Sequence, residues 1–461
     1  MKKTSIASLL GLVCGSSLAL AAPPKPNILI ILADDLGYAD VGFTGSKDIR
    51  TPNLDRLAAS GIQLNRFYAC PVCSPSRAGL LTGRWPIRYG LMKAVVPPWS
   101  TFGLSSAEKT LPEILATAGY ERRGMVGKWH LGHHQRSMLP LQRGFTDFYG
   151  HYNGALDYFT HKREGELDWH RQDEPAREEG YGTDLLGGEA VKFIEASPEG
   201  KPWMLYAAFT APHDPLAAKP EDLEKYPDLK GRRKTYAAMV DSMDQAIGRI
   251  LAAVEARKDG DNTLILFMSD NGGPEPFANN APWRGAKFDV YEGGIRVCAA
   301  IRWNAQGWNG GQKLDEMLGY IDVVPTVLAA AGVAVPTGDN SLDGIDMAPV
   351  LSKSVKAPER LWYSYFAQGG RPPGASVMLG DWKLVQVGGD VLVPGAAEKT
   401  ELYNLKSDPA ETTNLVVQHP EMVSKLSAEL IAFAKLGKDG VTEFSKGREG
   451  FKAPKDWVIR E

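Results

Sequence analysis

Cysteine is scarce: the 461-residue sequence has four, and one of them, Cys14, lies in the first 21 residues. Those residues, MKKTSIASLLGLVCGSSLALA, put Lys2 and Lys3 before a short apolar run and close on Ala19-Leu20-Ala21, the pattern of a cleaved export signal. Gly11-Leu12-Val13 before Cys14 is a poor match to a lipoprotein site. Cleavage after Ala21 leaves Cys70, Cys73 and Cys298, an odd number, which excludes a disulfide framework and leaves at least one thiol to be explained otherwise. An excess of charge is missing too. The 52 Lys and Arg stand against 55 Asp and Glu, net −3, without the basic footprint of a nucleic-acid binder. Long hydrophobic runs are absent: the leader's apolar stretch is interrupted by Gly and Ser, and nothing later is apolar enough to span a bilayer. A periplasmic or secreted protein with no integral membrane segment in its mature chain is expected.

What the chain does have is a set of buried strands. NILIILA (27–33) and TLILFMS (263–269) lack alternation and run into Asp34-Asp35 and Asp270-Asn271. WMLYAAF (203–209) leads to His213, and RRGMVG (122–127) to Lys128-Trp129-His130. Helical patterns lie between them. TPNLDRLAASG predicts a helix with Thr51 as N-cap, Pro52 at the first position and a stop at Gly61. Met239, Met243, Ile247, Ile250 and Val254 recur at helical spacing, a stripe that reads as core. Alternating strands and helices predict an α/β fold with a mainly parallel sheet sandwiched by helices, whose ligands bind at the carboxyl edge. After Leu351 the texture changes to LWYSYF, SVMLG, WKLVQV and a helical stretch ending near Leu436. The expected organisation is a signal over 1–21, a catalytic domain over 22–351, and a small α+β subdomain of antiparallel sheet plus helix over 352–461.

The stretch ACPVCSPSRAGLLTGR (69–84) holds Cys70 and Cys73 in a Cys-x-x-Cys spacing. A redox pair places its first cysteine at a helix start, whereas here the second one opens RAGLLTG. A zinc site needs a second ligand pair; His130, His133 and His134 are at hand, but Cys298 stands alone. Two cysteines packed beneath a loop is the plainest alternative. The whole segment, however, resembles the signature of the formylglycine-dependent sulfatases, in which the motif cysteine is oxidised to an aldehyde by a formylglycine-generating enzyme during export. GKWHLG (127–132), APHDP (211–215), SDNGG (269–273) and RGAKFDVYEGG (284–294) look like further family motifs in family order, and ELYNLKSDPAETTNL (401–415) resembles its C-terminal region. GRWPIRYGL and GFTDFYGHYNGALDYFTH look most similar to the arylsulfatase B branch, which acts on sulfated amino sugars.

The resemblance implies an alkaline-phosphatase-like catalytic fold and a sulfuric ester hydrolase. It also assigns roles. Cys73 becomes formylglycine, whose hydrate is the nucleophile on a metal; Arg77 braces the hydrate; Lys128 and Lys287 clamp sulfate oxygens; His213 protonates the leaving oxygen and His130 acts as base. Asp34, Asp35, Asp270 and Asn271 form an all-oxygen set suited to Ca2+ ahead of magnesium, although such residues also cap turns. His151 and Asp157 are expected to line the pocket for a sulfated carbohydrate. His133, His134, His161 and His170 read as structural, and Cys70 as a bystander. Two other readings compete: a phosphonate or phosphate monoester hydrolase sharing the aldehyde and fold, and a non-catalytic binder of sulfated glycans if Cys73 stays unmodified.

Overall fold

The computed structural model describes residues 24–441, 444 and 446–460. The signal expected over 1–21 lies outside them. Ten strands form the main sheet: β1 (Asn27–Ala33), β2 (Ile62–Leu64), β3 (Arg122–Lys128), β4 (Asp147–His151), β5 (His170–Arg171), β6 (Glu174–Pro175), β7 (Trp203–Ala208), β8 (Thr263–Ser269), β9 (Ala299–Arg302) and β10 (Gln312–Leu314). Their spatial order is β10-β2-β9-β8-β1-β7-β3-β4-β5-β6. The five central strands, β8 to β4, are parallel, while β9 and β5 pair antiparallel on either side. The four sequence-predicted strands are thus the adjacent set β8, β1, β7 and β3, and all are parallel.

Both faces of β1 are covered. Leu29 and Ile31 pack with the helices α3 (Gly182–Glu195) and α4 (Gly231–Glu255), where the stripe from Met239 to Val254 is buried. Ile28, Ile30 and Leu32 face a second cluster that includes Ala78 and Leu81 of α2 (Cys73–Thr82) and Val324 and Val327 of α5 (Val323–Ala330). Helix α1 (Pro52–Ser60) starts and stops as the sequence predicts, but Thr51 does not cap it. The Thr51 hydroxyl instead accepts from Gly42 N, at 2.7 Å, and the free amides of Asn53 and Leu54 donate to the Asp244 carboxylate of α4, at 3.1 and 2.8 Å. A tertiary carboxylate has displaced the local cap, which locks two helices together.

The C-terminal sheet is an antiparallel meander of β11 (Leu361–Phe366), β12 (Gly374–Leu379), β13 (Trp382–Gly389) and β14 (Ala397–Asn404). Helix α6 (Pro420–Ala434) buries Leu426 and Leu430 against its Ala375, Val377, Leu384 and Leu402. Trp362, Met378 and Val385 point the other way, into the core beneath β1. A buried ionic cluster ties β13 to the segment that follows Lys287: Lys383 Nζ lies 2.9 Å from both Glu292 and Glu411.

Candidate active site

The carboxyl ends of four adjacent parallel strands converge. Asp34 and Asp35 follow β1, Asp270 and Asn271 follow β8, Lys128 ends β3, and His213 lies in the loop after β7. Backbone bonds tie these ends: Asp270 N donates to Ala33 O at 3.0 Å, and Asp34 N to Ala211 O at 3.1 Å. Cys73 is the first residue of α2, with its side chain at the positive end of the helix. Ser74 fixes that end, since its hydroxyl donates to His130 O at 2.9 Å and accepts from Val96 N at 3.1 Å. Glycine is required further along α2, where a Cβ on Gly79 would come within 2.1 Å of the Tyr320 ring.

Three buried cations face three buried carboxylates. Arg77 donates through Nε and Nη2 to Asp270 Oδ2, at 3.1 and 2.9 Å, and through Nη1 to Lys128 O, at 3.0 Å. Lys128 Nζ donates to Asp34 Oδ2. Lys287 Nζ lies 2.7 Å from Asp35 Oδ1, and the Asn271 amide donates to the same oxygen at 2.8 Å. Burial pushes the Asp270 carboxyl up, the Asp34 charge adding to it against Arg77 and Lys128. Burial pushes Asp35 the same way, but the Lys287 charge, with hydrogen bonds from Lys287 and Asn271, prevails and holds it well below the usual carboxylate range.

A cation fits among these oxygens. Asp34 Oδ1 and Asn271 Oδ1 are buried without a hydrogen-bond partner among the described residues. The ligand atoms of Asp34, Cys73 and Asp270 lie within 4.8 Å of one another, as do those of Asp34, Asp35 and His213. Hard oxygen donors in this number suit calcium.

The two histidines have complementary free nitrogens. His130 Nε2 lies 3.0 Å from Val96 O, which can only accept, so Nε2 carries the proton and Nδ1 keeps its lone pair, buried and unpartnered. Burial, then the charges of Lys128 and Arg77, keep this ring neutral, well below the usual imidazole range. His213 is arranged the opposite way. Its Nδ1 contacts Asp214 O at 2.5 Å, leaving Nε2 toward the site, 3.6 Å from Asp35 Oδ2. Burial and then Lys287 lower it to about 3.

A cavity of about 590 Å³ opens over this floor, lined by Asp35, Cys73, His130, His213 and Lys287. Of the residues expected at the site, Asp34, Arg77, Lys128, Asp270 and Asn271 form its buried underside. Lys128 is turned to Asp34 and does not reach the cavity wall. His151 and Asp157 are not brought to the cavity. His151 is fully buried against the Thr210 hydroxyl at 2.7 Å, and the Asp157 carboxylate accepts from Phe159 N and Thr160 N in its own turn. Phe288, next to Lys287 in its motif, adds to the walls, and others that no motif announced are supplied by Arg163, Arg232, Gln368 and Phe444. The other thiols are remote from this chemistry: Cys70 Sγ donates to the Tyr320 hydroxyl at 3.1 Å, burial raising it to about 12, and Cys298 is buried in the core.

Comparison with known proteins places this geometry. Residues 26–333 match the family described as Sulfatase, and residues 283–435 match N-sulphoglucosamine sulphohydrolase, C-terminal. Arylsulfatase J of Mus musculus is 30% identical over 462 residues, covering 90% of this chain and 77% of its own length. N-acetylgalactosamine-6-sulfatase of Homo sapiens is 35% identical over 358 residues, covering 72% of this chain and 67% of its own. The solved structure of Ps i-CgsB in complex with k-i-k-neocarrahexaose superposes with a TM-score of 0.84 at 32% identity, covering 92% of this chain and 95% of that one. Relatives spread over arylsulfatases J and A and N-acetylgalactosamine-6-sulfatase, so they support the type I sulfatase superfamily without singling out an arylsulfatase B-like branch. The chain belongs to the sulfatase family and is a sulfuric ester hydrolase.

Proposed function

We propose that the protein is an exported, calcium-dependent sulfatase that hydrolyses sulfate esters of saccharides, with Cys73 matured to formylglycine by a separate modifying enzyme. The observation that carries this reading is the clustering of Cys73 with Asp34 and Asp270 at the floor of a cavity that also exposes Lys287, His130 and His213. The saccharide assignment is supported by the hexaose bound to the similar Ps i-CgsB and by the name of the N-acetylgalactosamine-6-sulfatase relatives. Export to the periplasm or medium rests on the leader pattern, and no helix among the described residues is long and apolar enough to cross a membrane. The expected division at 351 gives residues 22–351 the catalytic groups and 352–461 part of one cavity wall, through Gln368 and Phe444.

Asp34, Asp35, Asp270 and Asn271 would hold a calcium ion, which would make a hydroxyl of the hydrated aldehyde at position 73 nucleophilic at neutral pH and polarise the ester. The remaining work falls to side chains. Lys287 faces the sulfate oxygens, and Lys128 adds its charge from beneath through Asp34. Arg77 holds Asp270 and Asp34 in register. His213 Nε2 delivers a proton to the departing alcohol oxygen, and His130 Nδ1, neutral and unpartnered, accepts one at position 73.

Two measurements test the reading together. Peptide mass spectrometry of the exported protein is expected to find formylglycine at 73; an active enzyme whose position 73 is wholly free thiol refutes the nucleophile. Turnover of an aryl sulfate is expected to exceed that of the matching aryl phosphonate, and the reverse order favours the phosphonate hydrolase.

A further inference from the structure

The cavity wall carries two arginines whose circumstances differ. Arg232 is already neutralised: one of its guanidinium nitrogens lies 2.6 Å from each Asp214 oxygen, and the group covers the Phe277 ring at 4.1 Å. Arg163 is not. Its ion pair with Glu164 spans 3.7 Å, longer than a hydrogen bond, and its buried Nε has no hydrogen-bond partner among the described residues. Glu164 is itself shared, lying 3.7 Å from Arg448 as well. One carboxylate thus faces two guanidinium groups, and a positive charge is left over at the rim.

That charge is also held in place. Arg163 lies in the hairpin Lys162–Arg163 and Glu166–Leu167, and the C-terminal segment straps this hairpin down. Trp457 Nε1 donates to Arg163 O at 3.0 Å, and Glu166 accepts from Asp456 N at 3.0 Å and from Lys455 at 3.1 Å. The side chain is only 22% exposed, so water replaces little of the missing partner. Burial disfavours its charged form more than Glu164 restores it. A cation that is desolvated, under-paired and fixed at a cavity wall is arranged for an anion that arrives with the ligand.

We propose that Arg163 is a second anion-recognition point, which reads a further sulfate or carboxylate on the saccharide, distinct from the ester that is cleaved. The proposal rests on the saccharide sulfatase reading above. Arg163 shares the cavity with Cys73, His213 and Lys287, which the proposed function commits to the scissile group, so the two anions are met by different residues. The planar guanidinium fork suits either oxyanion, and a lysine in its place keeps the charge but loses the paired geometry.

The test uses the full mature enzyme and three versions of one oligosaccharide: the cleaved sulfate alone, the same with a second sulfate on the neighbouring ring, and the same with a carboxylate there. The wild type is expected to prefer one doubly anionic version by about tenfold or more in kcat/KM, mainly through KM, and the preferred version identifies the group. R163Q is expected to bring that ratio close to one, and R163K to keep part of it. An equal ratio in wild type and R163Q, with both folded by thermal unfolding, overturns the proposal while the sulfatase reading stands. Turnover of an aryl sulfate but of no sulfated saccharide overturns the saccharide reading and this proposal with it.

Discussion

Gly154 offers a test of His130 that leaves every proposed catalytic side chain intact. A Cβ added there would lie 2.4 Å from both Cε1 and Nε2 of the His130 ring. Ordinary carbon contacts settle near ~3.5–4.0 Å, so the methyl group and the ring must separate by about 1 Å or more. The loop is poorly placed to yield, because the buried Asp168 carboxylate accepts from Tyr152 N at 3.0 Å, Asn153 N at 2.9 Å and the Asn153 amide at 2.9 Å. The His130 backbone is equally pinned, in the left-handed region at φ 58°, with its N–H on Tyr152 O and its carbonyl on Ser74. The ring is therefore the part that moves. Its Nε2 bond to Val96 O is the contact that breaks, and with it the fixed direction of Nδ1. A displacement of roughly 1 Å in a proton-transferring group costs on the order of 10²-fold in rate. Gly154→Ala is thus expected to lower kcat for an aryl sulfate by about 10²-fold, with about 1–3 kcal/mol of overpacking strain in unfolding free energy. Calcium content and the formylglycine fraction are to be measured on the same preparation and should match the wild type. A variant that retains kcat within about threefold, or that loses activity only in proportion to metal or aldehyde, refutes the positioning of His130 by this loop.

Asp270→Asn removes one of three buried carboxylates; calcium retention and aryl sulfatase activity are expected to fall in parallel, by elemental analysis and initial rates. Its partner Arg77 is then under-compensated; wild-type activity that survives exhaustive chelation refutes the metal assignment. His151, held down to about 3 by burial, stays neutral in the folded protein while the unfolded chain takes up a proton below about 6.5. The unfolded state binds more protons between those values, so stability is full above about 6.5 and declines as pH falls towards 3, by up to ~1.4 kcal/mol per pH unit for this residue. His151→Asn is expected to flatten the acid limb of a thermal-unfolding series, and an unchanged slope counts against it. Lys383→Met leaves Glu292 and Glu411 facing each other in the core and is expected to cost about 3–5 kcal/mol in denaturant unfolding.

What was legible in the sequence follows from which properties are local. Strands buried on both faces are continuous apolar runs, so β1 and β8 matched residue for residue. The flank beyond β8 was not legible, because β2, β9 and β10 are three or four residues long and owe their pairing to neighbours brought in by the fold. The catalytic candidates sit in short motifs at strand ends, where a polar cluster after an apolar run is visible without a structure. Arg163, Arg232, Gln368 and Phe444 come from segments with no such signature, and only tertiary packing turns them to one cavity. His151 misled for the same reason: an aromatic, polar stretch does not reveal which of its side chains the Thr210 hydroxyl and the Trp169 ring will cover.

The depressed value of His213 stands against its proposed role as an acid, and the charge balance of the site accounts for the discrepancy. Asp34, Asp35 and Asp270 are matched by Arg77, Lys128 and Lys287, so the protein groups alone are close to neutral. A divalent cation among the carboxylates leaves an excess near +2, which a sulfate ester, with a single negative charge, only partly offsets. Such a surplus would draw the ester in and stabilise the charge that grows on the leaving oxygen. After burial, the main influence lowering His213 is Lys287, and Lys128 acts in the same direction. An anion seated against Lys287 cancels that influence and adds an attraction of its own for imidazolium. We propose that the bound ester shifts His213 toward its protonated form, the direction that its role as the acid requires.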